Sequence, residues 1–199
     1  MPSSRKRNPR GQGSRLREEI VVAATGILEE KGFEDAVTLR GVARRIGVSA
    51  PSLYDHFSGQ GEILAAVLAR AFDQFQAALD AAARAPAGDP TQRLEKLATA
   101  YLEFARHHPQ VYRIMFSRWR REGTAEMISR RSPEDLLGAA AFGLLVDAVA
   151  AADPTGNDST IKATALWVGL HGYATLRDAV PAFPWPDEKN LLSRLLTIV

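Results

Sequence analysis

The feature that most constrains this chain is the stretch Thr38 to Phe57, Thr-Leu-Arg-Gly-Val-Ala-Arg-Arg-Ile-Gly-Val-Ser-Ala-Pro-Ser-Leu-Tyr-Asp-His-Phe. Thr38 stands where a helix N-cap would. Leu39, Val42, Ala43 and Ile46 then recur at the i, i+3, i+4, i+7 spacing of a buried helical stripe. Arg40 and Arg44 share another face and stay free for an external partner. Gly47 ends that helix, Val48 is the apolar turn residue, and Ser49 is placed to cap the next helix, with Pro51 in its first turn. In the second helix Leu53 and Phe57 face inward, Ser52 and His56 outward, and Tyr54 lies at the edge. Two short amphipathic helices across a Gly-Val-Ser turn predict a helix-turn-helix. In that device the second helix enters a major groove, where small hydrogen-bonding side chains let it seat.

The remaining chain must do something else. Hydrophobic residues make up 46% of the 199, enough for a substantial core. There is no cysteine, which excludes disulfides and thiolate metal sites. No apolar h-region follows the basic start, and the longest apolar run, 136–152, contains Asp147 and is too short to span a bilayer. A cytoplasmic protein with no membrane association is expected. Charge is uneven: residues 1–60 carry ten Lys/Arg and seven Asp/Glu, whereas residues 61–199 carry fifteen and sixteen. Six basic residues and no acidic one fall within 1–17. Beside a helix-turn-helix, such an arm is the footprint of phosphate binding.

Periodicity predicts an all-α fold in three parts: a disordered basic arm (1–14), a head with the helix-turn-helix (15–60) and a larger helical body (61–199). Ser14 is placed to cap the first helix, which Gly32 ends, with Phe33 as a core anchor after it. A long helix over 62–85 carries Ile63, Val67, Ala71, Phe75 and Leu79 on one face. Helices over 91–107, 110–116, 133–152, 159–178 and 187–197 follow, and Ser132-Pro133-Glu134-Asp135 is a helix start. The 133–152 helix carries Leu137, Ala141, Leu144, Ala148 and Ala151 on one stripe, expected to pack closely against a second helix. No strand and no internal repeat are expected.

Residues 15–64 resemble the DNA-binding head of TetR-family transcriptional regulators. The resemblance is carried by Phe33 to Asp35, Thr38 to Ala43, Gly47-Val48-Ser49, Ser52 to Phe57 and Ile63-Leu64. It implies DNA contacts from Thr38 and Arg40, and from Ser49, Ala50, Pro51, Ser52, Tyr54 and His56. Arg40 and the first positions of the second helix would approach bases, while Tyr54 and His56 would clamp phosphates. Where the family usually has a lysine, this chain has Gln60, which can still donate to a phosphate. In the body, Trp167, His171 and Gly172 resemble the tryptophan–histidine–glycine signature of one C-terminal domain type. The stretch 104–116 is similar to that type too. This implies a body that dimerises and encloses a small molecule of unspecified identity. Its candidate lining is Phe75, Tyr101, Phe104, Phe116, Trp119, Phe142, Trp167 and His171, although aromatics at helical spacing are mostly core.

Enzymatic chemistry has no foothold: there is no nucleophile–base spacing, no Gly-x-Ser-x-Gly, no phosphate loop and no metal-ligand cluster. His107 and His108 are adjacent and point to different helix faces, so no metal or other cofactor is expected. The reading is a homodimeric, ligand-responsive regulator on an inverted-repeat operator, with repression favoured. The alternative is an architectural DNA-binding protein, or an activator, without an effector.

Overall fold

The computed structural model describes residues 13–117, 138–153 and 157–197. Residues 1–12 of the basic arm, the arginine-rich stretch 118–131, Leu137 and the helix start at 132–135 lie outside these residues. Every α-helix described is one the sequence predicts. They are α1 (Gly13–Lys31), α2 (Leu39–Ile46), α3 (Pro51–Tyr54), α4 (Gln60–Arg84), α5 (Pro90–His107), α6 (Pro109–Ser117), α7 (Ala139–Ala152), α8 (Ser159–Ala179) and α9 (Glu188–Leu196). A single 3₁₀ turn, Glu34–Ala36, links α1 to α2. There is no strand among the described residues. The chain forms two compact units, 1–71 and 72–199, with α4 belonging to both.

In the first unit α1 packs on α2, and Ile20, Ala24, Ile27 and Leu28 of α1 are buried, as are Val42 and Ala43 of α2, Leu53 of α3 and Phe57. Gly32 takes a left-handed conformation after α1, at φ 77°. Two expectations need correction. Ser14 does not cap α1, because the helix already includes Gly13. Phe33 is no core anchor: it is 55% exposed, and fully buried Val37 fills the space where the chain turns into α2. The reason is conformational. Phe33 is extended (φ −148°), and the 3₁₀ turn after it brings Val37 inward instead.

In the second unit α5 is the central element and packs on α6, α7, α8 and α9. It is well specified at both ends. Asp89 caps it by accepting from the Gln92 backbone N–H at 2.8 Å, Pro90 needs no donor in the first turn, and Pro109 follows its end. Leu94, Leu97, Ala98, Tyr101, Leu102, Phe104 and Ala105 are buried. Asp153, the one charged residue buried among those described, is paired with Lys162 at 2.7 Å. Arg106 of α5 and Glu188 of α9 form an ion pair, and Tyr173 of α8 adds its hydroxyl to Glu188 at 3.4 Å.

The approach of α8 to α9 depends on Gly169, because a Cβ there would stand 2.8 Å from a methyl of Leu195. A leucine methyl at the end of a flexible side chain can yield to one carbon but not to a branched group. Gly169→Ala is expected to be near neutral, its strain offset by about 1 kcal/mol of gained helix propensity. Gly169→Val should cost about 1–3 kcal/mol by overpacking. Thermal melts of the two variants check this, Val alone lowering the midpoint by several degrees.

Candidate nucleic-acid interface and aromatic cluster of the body

The DNA-reading candidates all lie on the first unit. Thr38 caps α2 as predicted, its hydroxyl oxygen accepting from the Gly41 N–H at 3.0 Å. The hydroxyl hydrogen remains available to donate outward. Gly47 ends α2 in the left-handed region (φ 70°), and the Val48 N–H returns to the Ala43 carbonyl at 3.0 Å. This closure turns the chain sharply into α3. Pro51 occupies the first turn of α3, as expected, but Ser49 is not its cap. The N-cap is Ala50, and the Ser49 hydroxyl lies 2.7 Å from that of Ser52. The two hydroxyls thus form one unit at the front of α3.

Leu53 and Phe57 are buried beneath α3, while Tyr54 is 63% exposed and His56 half-buried. Arg40 and Arg44 are exposed on α2. Arg45 is not part of this set. Its guanidinium crosses to α1 and donates two hydrogen bonds to Glu30, at 2.8 and 2.5 Å. It passes over Gly26, where a Cβ would meet it at 3.0 Å. The pairing lowers the Glu30 carboxyl below its usual range. The three arginines of α2 are thereby divided, one structural and two facing out. Gln60 stands at the start of α4, and its amide donates to the Glu34 carbonyl at 2.8 Å. A phosphate would have to use its second N–H.

In the second unit the aromatic candidates form one connected cluster. Phe75 packs edge-on to Tyr101 (centroids 5.2 Å apart) and tilted to Phe104 (5.1 Å). These three rings are buried. Phe116, Phe142, Trp167 and His171 are half-buried and touch one another: Phe116 lies 4.6 Å from His171 and 6.4 Å from Trp167, and Phe142 lies 5.8 Å from Trp167. Trp119 lies outside the described residues.

The cluster contains a hydrogen-bonded chain that sequence reasoning missed. Trp167 Nε1 donates to the Tyr101 hydroxyl at 3.2 Å, Tyr101 and Tyr112 share a 2.6 Å hydrogen bond, and Tyr112 stands 2.7 Å from His171 Nδ1. An indole N–H only donates, so Tyr101 accepts from Trp167. Both hydroxyl hydrogens then find acceptors within the chain when Tyr101 donates to Tyr112 and Tyr112 donates to Nδ1 of a neutral His171 whose hydrogen is on Nε2. Burial pushes the Tyr101 hydroxyl up to about 12 against the lowering effect of its hydrogen bonds, pushes Tyr112 higher still, and lowers His171. Tyr112 was the missing member. A tyrosine on the apolar face of a short helix needs a partner for its hydroxyl, and that need is the one signal the sequence held.

The profile of the tetR family of bacterial regulatory proteins matches residues 20–67. That of the tetracyclin repressor-like C-terminal domain matches residues 94–198, more than half of the chain. The chain belongs to the TetR family of regulators. Among curated relatives, the HTH-type transcriptional activator FasR of Mycolicibacterium smegmatis is 34% identical over 110 residues, 53% of this chain and 49% of that protein. The HTH-type transcriptional repressor KstR of the same species is 36% identical over 83 residues, 42% and 40% respectively. The matches thus span half or less of these relatives. Among solved structures, the transcriptional regulator FadR from Bacillus subtilis in complex with stearoyl-CoA shares the fold. Its TM-score is 0.69 over 92% of this chain and 98% of that one, at 12% identity. Among the described residues no helix is long and apolar enough to cross a membrane, and no group of His, Asp and Glu side chains could hold a metal ion.

The hydroxyl chain makes two testable demands. Tyr112→Phe leaves the Tyr101 hydrogen and His171 Nδ1 without partners and should cost about 1–3 kcal/mol, read as a lower melting temperature. The second concerns pH. The unfolded chain protonates His171 below about pH 6.5, whereas the folded chain resists protonation there. The resulting stability is complete above that pH and is lost as pH falls toward the lower folded value. Wild type should therefore lose more melting temperature between pH 7 and 5 than His171→Gln, whose amide oxygen can still accept from Tyr112.

Proposed function

We propose that this chain is a homodimeric, ligand-responsive DNA-binding regulator that acts by default as a repressor on an inverted-repeat operator. The observation that carries the reading is the division of the head. Leu53, Phe57, Val42 and Ala43 are buried, while Arg40, Arg44, Tyr54 and the Ser49–Ser52 pair face outward. Arg40 suits a guanine edge, Ala50 and Pro51 a thymine methyl, and Thr38, Tyr54, His56 and Gln60 suit phosphates. A protein that only occupies DNA represses when its site overlaps a promoter. FasR and KstR are named as an activator and a repressor, so the relatives supply the sign either way.

The body supplies the response. We infer from Trp167, His171 and Gly172 that it is of the tryptophan–histidine–glycine type. We infer an effector site at Phe116, Phe142, Trp167 and His171, backed by buried Phe75, Tyr101 and Phe104, with Trp119 as a further candidate. An apolar molecule or chain suits those rings, and the stearoyl-CoA held by FadR carries such a chain in this fold. Effector binding would move the equilibrium between DNA-competent and incompetent dimers by its differential affinity for the two, and no further.

Dimerisation is supported by α8. Ile161, Val168 and Leu176 are 67%, 62% and 53% exposed, and Ala165 and Gly172 fall between them at helical spacing. Apolar and small residues in one stripe let a second helix approach closely. The stripe expected on the preceding helix divides differently: Ala141 and Ala148 are buried within the protomer and Leu144 is half-buried. The sensitive position is therefore Val168.

Three outcomes are expected. Tyr54→Ala with His56→Ala should weaken operator binding and flatten its dependence on salt, because phosphate contacts are lost. Arg40→Ala should relax sequence preference at one base pair, costing roughly 1–3 kcal/mol there. Both are measured by gel shift across salt and operator variants. Val168→Asp should yield monomers in sedimentation, with much weaker operator binding, because a charge would be buried unpaired at the seam. Titrating the protein–operator complex with apolar ligands separates a regulator, which releases, from an architectural protein, which does not.

A further inference from the structure

On the first unit, Arg17 of α1 serves three partners. Its guanidinium lies 4.1 Å from the ring centroid of Phe57. Its Nη1 donates to the main-chain carbonyl of His56 at 2.5 Å and stands 3.6 Å from Glu62 Oε1. Glu62, in turn, uses Oε2 to accept from the Ser58 N–H at 2.8 Å and the Ser58 hydroxyl at 3.1 Å, closing the first turn of α4. Eight residues further along α4, Arg70 pairs with Glu18, the neighbour of Arg17 on α1. The two helices are thus joined by ion pairs of opposite polarity, base to acid and then acid to base.

The His56 carbonyl belongs to the turn that ends α3. Carbonyls at a helix end have no partner within the helix, and a cation there is favourable. One guanidinium therefore holds the end of α3 and the start of α4 together. If the first turn of α4 rotates, Glu62 leaves Arg17, and the hold on His56 loosens with it. Both side chains are about half exposed. The pair adds little to global stability, but it lies where a small bias sets the direction of His56 and Tyr54.

We propose that Arg17 and Glu62 form a latch between α4 and the recognition helix, which makes Glu62, an acid of no use against phosphate, a positioning residue for operator binding. The proposal rests on the DNA-binding reading above. It differs in sign from simple electrostatics. If charge alone mattered, Glu62→Gln would remove a repulsion and tighten DNA binding, and Arg17→Lys would be silent. If the latch operates, both substitutions weaken operator binding, by about three- to tenfold for a dimer with two heads. The salt slope stays that of wild type, because no phosphate contact is lost.

The experiment measures operator affinity against salt for Arg17→Lys, Glu62→Gln and the double variant. Gln at 62 can still accept from the Ser58 N–H, so the cap of α4 survives and the substitution isolates the pairing with Arg17. The double variant is expected to be no weaker than the weaker single, since both break one contact. Hydrogen exchange on the free proteins provides a readout without DNA. The His56 and Phe57 amides, both bonded to the Leu53 carbonyl, should exchange faster in Arg17→Lys while those of α2 do not change. Tighter or unchanged operator binding by Glu62→Gln, additive losses in the double variant, or unaltered exchange at His56 and Phe57 would each overturn the latch. A wild-type protein that binds no DNA would sink the regulator reading instead, and the exchange result would still decide the latch.

Discussion

A helix of four residues cannot hold itself together in water. Nucleating a helical turn is unfavourable, and α3 (Pro51–Tyr54) has almost nothing to propagate. What keeps it in place is burial: Leu53 and Phe57 are nearly inaccessible, and each contributes about 1.5–3 kcal/mol by leaving water. The outward face of the head exists only because this inward face is anchored. Tyr54 and the Ser49–Ser52 pair are presented by a segment whose shape is set from beneath. The left-handed Gly47, the inward Val37 and the reach of Arg17 to His56 serve the same anchoring from three sides.

The same logic separates the arginines of α2. Three cations on eight residues could all have faced solvent, and charge counting alone treats them alike. Glu30 on α1 takes Arg45 out of that set with two hydrogen bonds, and Gly26 leaves the room for it. What remains is a pair, Arg40 and Arg44, on the exposed side of the helix. The head therefore gains α1–α2 cohesion and a directed positive face from one run of like residues.

The body has a different organising element. Its aromatic cluster is apolar at its rim and back and hydrogen-bonded through its middle, from Trp167 to His171 by way of two tyrosines. Buried polar groups are costly unless every member is satisfied. Both hydroxyl hydrogens are satisfied when Tyr101 donates to Tyr112 and Tyr112 to His171 Nδ1, which ties four side chains from three helices into one arrangement.

The sequence by itself determined the helices, their order and most of their ends. Those depend on neighbours within a turn: Thr38 and Asp89 as caps, Gly32 and Gly47 as stops, and the apolar spacing of α1, α4 and α5. It determined the family and which face of the head carries the polar residues, since local periodicity divides each helix into two sides. Ser49 misled because a hydroxyl beside a helix start can bond the backbone or another side chain, and Ser52 was the better-placed partner. Phe33 misled because hydrophobicity says that a residue can be buried, not that the backbone will turn it inward. Only the tertiary structure decided which charges pair across helices and which hydroxyls meet. Arg17 with His56 is 39 residues apart, and Tyr112 with His171 is 59. Partners at such separations are chosen by how packed helices bring them into reach, and no local pattern records that choice.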